Sequence, residues 1–284
     1  MKITNINMRP GTLVAELVGT FILTTVFITV ANPIIVGFTF VALMLALGTV
    51  SGAHLNPALT FGLWSIRKIE GIKVPFYFAM QFAGALFALL LSQMYQASGY
   101  GLSLASFNSF DTKILIAELI GTATFAFAIA AVYERDNISS AKALCAGLAL
   151  LTGLAVGGGL LGQAVQSPNL SANSEEMPRV TKVDGAVLNP AIALAATEKT
   201  DQQNSLQSLG GQQQPQPSTK RPASRFTWES LIGGLLGSAI GMNLLLVTTG
   251  VNPIKKKQTI ATKVKTVVKK GKKEAKKATK KVKK

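Results

Sequence analysis

Six long apolar stretches, separated by short polar segments, dominate the pattern of hydrophobic and polar positions along the chain. Most of them hold about 20 residues, the length of α-helix that crosses a hydrocarbon core of roughly 30 Å. The pattern therefore predicts an all-α membrane protein with six transmembrane helices. The apolar stretches are residues 11–31, 34–50, 74–95, 112–132, 141–161 and 228–249.

Two short motifs indicate that the chain contains an internal repeat. AELVGTF at residues 15–21 is echoed by AELIGTA at residues 117–123, and each motif is followed by one further span and then by LNPA. Because each half holds three spans, an odd number, the second half crosses the membrane in the opposite direction to the first. Such an inverted repeat places its shared site near the bilayer midplane, where broken helices meet.

The sequence Asn-Pro-Ala occurs once in each half, in NPALTFGLW at residues 56–64 and in NPAIALAAT at residues 189–197. Asn is a favoured N-cap and Pro is favoured at the first helical position. Each segment therefore predicts a short helix of about 14 Å, half the thickness of the membrane. Two ordinary helix caps in surface loops are the alternative, but the repeat favours two re-entrant half-helices whose Asn amides meet at the midplane.

The net charge of +16 first suggests a partner of opposite charge, such as nucleic acid. However, residues 255–284 hold 15 of the 29 Lys and Arg residues, so residues 1–254 carry 14 basic and 12 acidic groups. The basicity belongs to a tail that is either solvated and disordered or bound to anionic lipid headgroups. Nucleic acid is the less favoured partner for a segment tethered to a membrane.

The predicted domain organisation is one channel-like domain over residues 1–250 followed by a Lys-rich, disordered tail over residues 251–284. Polar insertions at about residues 163–184 and 199–226 lie on the predicted extracellular side. The positive-inside rule gives this orientation, with both termini cytoplasmic. The expected location is the plasma membrane. The short loops on the terminal side hold Arg67, Lys68, Lys73, Arg135 and Lys142, against Lys113 in the short loop opposite.

These motifs resemble the aquaporin family, the major intrinsic proteins, over about residues 10–250. The similarity includes SGAHLNPA, QFAGALFA in the third span and WESLIGGLLGSAIG in the sixth. The resemblance implies one pore per subunit of a homotetramer, through which water or small neutral solutes pass without a cofactor. It assigns the pore motifs to Asn56, Pro57, Ala58, Asn189, Pro190 and Ala191.

The selectivity filter that the resemblance implies departs from the family pattern. Family members usually have an arginine directly after the second Asn-Pro-Ala, but Ile192 stands there and no nearby arginine replaces it. The other filter positions fall on Val36, Leu154 and Ala186, so the constriction is either wide or apolar, and side-chain volume favours the wide one. The alternative function is therefore a non-conducting or gated membrane scaffold whose basic tail binds anionic lipid or partners.

Three polar residues are expected to support the re-entrant loops. Glu16 and Glu118 occupy equivalent repeat positions inside apolar spans, which favours accepting backbone hydrogen bonds over relaying protons. His54 lies two residues before Asn56, where local hydrogen bonding is favoured over a pH gate. The sequence has no metal-ligand spacing, nucleophile triad or phosphate-binding loop, which excludes the common enzyme classes.

Overall fold

The regular structure is helical throughout the part of the chain that the computed structural model describes, which is residues 8–96, 103–134, 139–166, 178–199 and 223–251. The predicted all-α class is confirmed. The helices are α1 (Pro10–Val30), α2 (Pro33–Leu47), α3 (Pro57–Ser65), α4 (Val74–Gln96), α5 (Thr112–Glu134), α6 (Ser139–Val165), α7 (Pro190–Ala195) and α8 (Trp228–Thr249), with short 3-10 turns at Gly71–Lys73, Ala105–Asn108 and Arg179–Lys182.

All six apolar stretches form helices, and five of these are long and apolar enough to cross a membrane. The second, α2, has 15 residues, which corresponds to only about 22 Å. It ends three residues earlier than the apolar stretch does, because the chain turns at Gly48 toward the loop that leads to α3. The order of long and short helices is that of the predicted three-span repeat.

The two short helices α3 and α7 begin at the two Asn-Pro-Ala sequences. In each, the Asn is the N-cap, its side-chain oxygen accepts two backbone N–H bonds, and the Pro follows at the first helical position. This geometry satisfies amide groups that an apolar environment would otherwise leave without a partner.

The second short helix is shorter than predicted, since α7 ends at Ala195 and Ala196 is already extended. The chain beyond it pairs with the segment that precedes α8. Glu198 N donates to Ala223 O at 2.8 Å, and Arg225 N donates to Ala196 O at 2.8 Å. Because residues so distant in sequence take over the backbone bonds, the helical pattern of 189–197 could not reveal where α7 ends.

Equivalent glycines in the two halves bring helices into close contact. A Cβ atom on Gly84 of α4 would collide with the carbonyl oxygen of Leu17 in α1, and one on Gly237 of α8 would collide with that of Leu119 in α5. Leu17 and Leu119 are separated by the same 102 residues as the AExxGT motifs. The repeat therefore extends from the motifs to the way in which the helices pack.

Two predictions concern regions that are mostly outside the described residues. The insertions are described only at residues 163–166, 178–184, 199 and 223–226, and the Lys-rich tail only at Val251. Residues up to Leu245 form one compact unit, and a second unit begins at Leu246 within α8. The predicted division of the chain at residue 250 stays a prediction.

Replacing Gly84 by Leu should destabilise the fold, because the new side chain would meet the backbone of α1, which cannot move aside as a side chain can. Overpacking of this kind costs roughly 3 kcal/mol. Thermal unfolding of the purified protein in detergent measures the loss. Gly159→Leu is the matched control, since a Cβ atom there meets nothing within 4 Å, and equal melting temperatures for the two variants would contradict the packing argument.

Candidate functional site

The two Asn-Pro-Ala sequences are joined by a reciprocal pair of hydrogen bonds. Asn56 Nδ2 donates to Leu188 O and Asn189 Nδ2 donates to Leu55 O, both at 2.9 Å. Each leucine precedes an Asn of the pair and has a left-handed backbone, with φ of 50° at Leu55 and 58° at Leu188. Each loop thus holds the other half's Asn, and the two helix starts face each other.

The remaining residues of the two motifs pack these helix starts together. Ala58 and Ala191 have no exposed surface, and Pro57 and Pro190 are buried as well. A Cβ atom on Gly234 of α8 would lie 3.4 Å from the Ala58 Cβ and 3.3 Å from the Pro190 Cγ. The N-terminal ends of α3 and α7 therefore meet beside α8, where the absence of a side chain at Gly234 leaves room for both.

Glu16 bonds the loop before α3. Its Oε1 accepts Ser51 Oγ at 2.6 Å and His54 N at 3.0 Å, while its Oε2 accepts Leu55 N at 2.7 Å and Gln81 Nε2 at 2.7 Å. The carboxylate is fully buried. An ionised carboxylate inside a protein requires such a set of donors, because burial without them is very costly.

Glu118 bonds the loop before α7 in the same way. Its two oxygens accept Val187 N and Leu188 N, each at 2.8 Å. These are the equivalents of His54 N and Leu55 N in the first half. The remaining partner differs, because Glu118 Oε1 lies 3.6 Å from Arg225 Nη2 and forms a buried ion pair.

A central chamber lies between the two Asn side chains. It has a cavity volume of about 10 Å³. One water molecule needs roughly 10–15 Å³. Its lining is apolar except for His54, Asn56 and Asn189. The other lining residues are Leu23, Phe27, Val36, Phe40, Phe125, Leu150, Leu154, Val187 and Ile192.

A larger space, the mouth cavity, lies beside the central chamber and has a cavity volume of about 150 Å³. Phe27, Val36 and Leu154 line both spaces and so separate them. The remaining lining residues of the mouth cavity are Ala31, Asn32, Pro33, Gly158, Asp184, Gly185, Ala186 and Arg225.

The residues proposed for the filter are therefore distributed over two spaces. Val36 and Leu154 lie at the boundary, Ala186 faces the mouth cavity, and Ile192 faces the central chamber. Phe27 completes the boundary and was not singled out from the sequence. The spacing from Glu16 could have indicated this position. Phe27 follows Glu16 by 11 residues, about three helical turns, and therefore lies on the same face of α1.

Arg225 was not singled out from the sequence, but it lines the mouth cavity together with Val36, Leu154 and Ala186. Its Nη2 donates to Gly185 O. Burial lowers the pKa of Arg225, and the carboxylates of Glu118, Glu198 and Asp184 oppose that shift, so the guanidinium remains protonated. Arg225 follows Ile192 by 33 residues, and only the backbone pairing of the segment before α8 brings it to this place.

A second arginine, Arg179, is part-buried and ties the described end of the first insertion to the rest of the molecule. Its Nε lies 2.6 Å from Glu198 Oε1, and its Nη1 lies 2.6 Å from Glu229 Oε1. Nη1 also donates to Ser109 O at 2.8 Å. Arg179 does not line either cavity.

His54 faces the central chamber and is bonded to α3. Its Nδ1 lies 3.1 Å from Thr60 Oγ1, which donates its own proton to Asn56 O at 3.0 Å. Tyr77 packs against the ring at a tilt, with centroids 4.8 Å apart, and Tyr133 meets it edge to face at 6.1 Å.

No group of three His, Cys, Asp or Glu side chains that could hold a metal ion occurs among residues 8–96, 103–134, 139–166, 178–199 and 223–251. Besides the Asp184 carboxylate, the polar side chains that line the two spaces are three amides, one imidazole and one guanidinium. Such groups can donate hydrogen bonds to a passing molecule.

Comparison with known proteins identifies a family. The family model described as "Major intrinsic protein" matches residues 9–169. Aquaporin AqpM of Methanothermobacter thermautotrophicus is 48% identical over 59 residues, which are 21% of this chain and only 24% of that relative. Aquaporin Z of Photorhabdus laumondii is 28% identical over 167 residues, which are 49% of this chain and 72% of that relative.

The fold has a counterpart among solved structures. The aquaglyceroporin from Plasmodium falciparum superimposes with a TM-score of 0.50 and 21% sequence identity, over 82% of this chain and 93% of the other. At this identity the likeness concerns the arrangement of the helices. It supports the architecture of six spans and two half-helices that the sequence predicted.

Replacing Glu16 by Gln should destabilise the protein while keeping the size of the side chain. The amide has one acceptor oxygen for a set of four donors, and its NH₂ group would face N–H groups of the loop. Loss of bonds to a charged acceptor costs roughly 3 kcal/mol here. Thermal unfolding in detergent measures this, with the exposed Glu70→Gln as control, and unchanged melting of the Glu16 variant would contradict the assignment.

Proposed function

The chain belongs to the major intrinsic protein family of membrane channels, and on that premise we propose that it conducts water and small neutral solutes passively between Asn56 and Asn189. The observation that carries the proposal is the pair of reciprocal Asn–backbone bonds at the central chamber. They hold two amide groups at fixed positions on an otherwise apolar wall.

The electrostatics of the chamber support neutral cargo. Each Asn uses its side-chain oxygen for the N-cap and one N–H for the opposite loop, and a primary amide has a second N–H. Donors without a negative charge favour molecules that accept hydrogen bonds, and they give a cation nothing in exchange for its lost hydration.

The size of the chamber supports a narrow pore over the wide one that side-chain volumes favoured. A space near the size of one water molecule suits water better than glycerol. The boundary of Phe27, Val36 and Leu154 presents no donor or acceptor, so a solute has to cross it largely without hydrogen bonds. Small neutral solutes meet that requirement at the lowest cost.

The finer assignments follow from the family and the charge pattern. We place the protein in the plasma membrane as a homotetramer, with both termini cytoplasmic and the mouth cavity facing outward. Its chemistry is passive transport, so it needs neither a catalytic residue nor a cofactor. The alternative of a closed scaffold is decided by the flux measurement below.

The experiment is stopped-flow light scattering on proteoliposomes, in which shrinkage in an impermeant osmolyte is compared with re-swelling in glycerol. Fast shrinkage with slow glycerol entry is expected from the small chamber. Rapid entry of both would support a wide solute pore instead. Flux no greater than that of protein-free vesicles would reject conduction and favour the scaffold.

Asn189→Asp should reduce water flux to the level of empty vesicles. The carboxylate keeps the N-cap acceptor but loses the donor to Leu55 O and sets a charge against that carbonyl oxygen. Asn32→Asp is the matched control, because Asn32 also caps a helix at an Asn-Pro pair but is exposed at the mouth cavity. Undiminished flux in folded Asn189→Asp would reject the proposed pore.

We propose that the Lys-rich tail binds anionic headgroups, since each Lys near such a surface contributes about 1 kcal/mol. Deleting residues 255–284 should leave water flux per protein unchanged and reduce co-sedimentation of the reconstituted protein with phosphatidylserine vesicles. Phosphatidylcholine vesicles serve as the control. Equal sedimentation of the full-length and shortened chains would reject lipid binding by the tail.

A further inference from the structure

Arg225 is a buried cation that lines a cavity. It is 7% exposed, and it is one of the lining residues of the mouth cavity. Its Nη2 donates to Gly185 O, in the loop that leads to Asn189. Three of the other lining residues are Val36, Leu154 and Ala186, which carry no charge and no donor. The guanidinium is thus a fixed cation on a wall that is otherwise largely apolar.

The backbone around Arg225 keeps the side chain at this position. Arg225 N donates to Ala196 O, and Ser224 N donates to Ser103 O, both at 2.8 Å. Ser224 Oγ contacts the last carbonyl groups of α7, at 3.1 Å from Ala193 O and 3.0 Å from Leu194 O. The end of α7 and the residue at the mouth are therefore one bonded assembly.

A purely structural role, neutralising Glu118, does not account for this arrangement. Glu16, its equivalent, keeps the same loop bonds with the neutral donors Ser51 and Gln81 in place of a cation. The fold can therefore satisfy a buried carboxylate at this position without an arginine. The second half instead uses a guanidinium, and this side chain also lines a cavity, whereas Ser51 and Gln81 line neither of the two.

The other charges at the mouth cavity do not cancel the effect of Arg225 on a solute. Asp184 also lines the cavity, but it is paired with Lys199. Glu118 is 1% exposed, does not line the cavity, and has its oxygens engaged by Val187 N and Leu188 N. A solute in the cavity therefore meets the guanidinium more directly than the carboxylate behind it.

From these observations we infer that Arg225 is the selectivity-determining residue of the mouth cavity, where it repels cations and donates hydrogen bonds to neutral solutes. The inference rests on the proposed function, since a residue can select only in a pore that conducts. The charged residue at the mouth is thus supplied by the segment before α8, since position 192 holds the uncharged Ile192.

The test compares Arg225→Met with Arg225→Lys in proteoliposomes, measuring water flux by light scattering and methylammonium entry with an internal pH dye. The Arg225→Met variant should still conduct water. It should admit methylammonium about tenfold faster, because the positive charge that repels this cation is lost. Arg225→Lys keeps the charge and should stay near wild type. Arg179→Met is the matched control, because it removes a part-buried, ion-paired arginine that lines neither cavity.

A double variant, Glu118→Gln with Arg225→Met, removes both charges together and avoids leaving a buried carboxylate without its ion pair. It should also admit methylammonium. Folded variants that conduct water but exclude methylammonium as the wild type does would overturn the inference alone. Failure of both Met variants to fold, while Arg179→Met folds, would make Arg225 a structural residue and overturn it too. A wild type without water flux would overturn the proposed function and this role together.

Discussion

The structure depends on how the backbone N–H groups of two loops are bonded inside an apolar bundle. Leu55 and Leu188 have no exposed surface, so water does not replace a missing partner of their N–H groups, and an unsatisfied amide costs several kcal/mol. Glu16 and Glu118 supply the acceptors, one for each loop. Once the N–H groups are held, the carbonyl groups of Leu55 and Leu188 accept the two Asn amides, and the left-handed backbone at both leucines is the strain that these bonds offset.

The same carboxylates also explain where the two halves stop being equivalent. Around Glu16 the additional donors are neutral and come from Ser51 and Gln81, whereas around Glu118 the additional partner is Arg225. The second half is also the one that ends its short helix early, because Ala196 and Glu198 pair with residues before α8. Both departures from symmetry therefore have the same origin. The segment before α8 pairs with the chain where α7 would otherwise continue, and it carries Arg225 to Glu118.

Much of this architecture could be predicted from the sequence because its causes are local or repeated. The lengths of the apolar stretches, the AExxGT motifs and the Asn-Pro pairs determine spans, inversion and half-helices. Arg225 could not be predicted in the same way, because its location depends on hydrogen bonds to Ser103 and Ala196, residues far away along the chain. The width of the central chamber was equally hidden, since Phe27 and Phe40 line it together with Val36, Leu154 and Ile192.

On the proposed function, the order of the two cavities determines where a solute loses its hydration. A molecule entering from the mouth meets polar groups first, among them Arg225 and the backbone around Gly185, and can exchange water for these partners while space is still ample. Only afterwards does it pass Phe27, Val36 and Leu154 into a chamber near the size of one water molecule. A charged solute would have to lose its hydration at an apolar boundary without a compensating charge beyond it, whereas a small neutral one finds the two Asn amides directly behind that boundary. The proposed path thus places selection by charge and selection by size on successive segments.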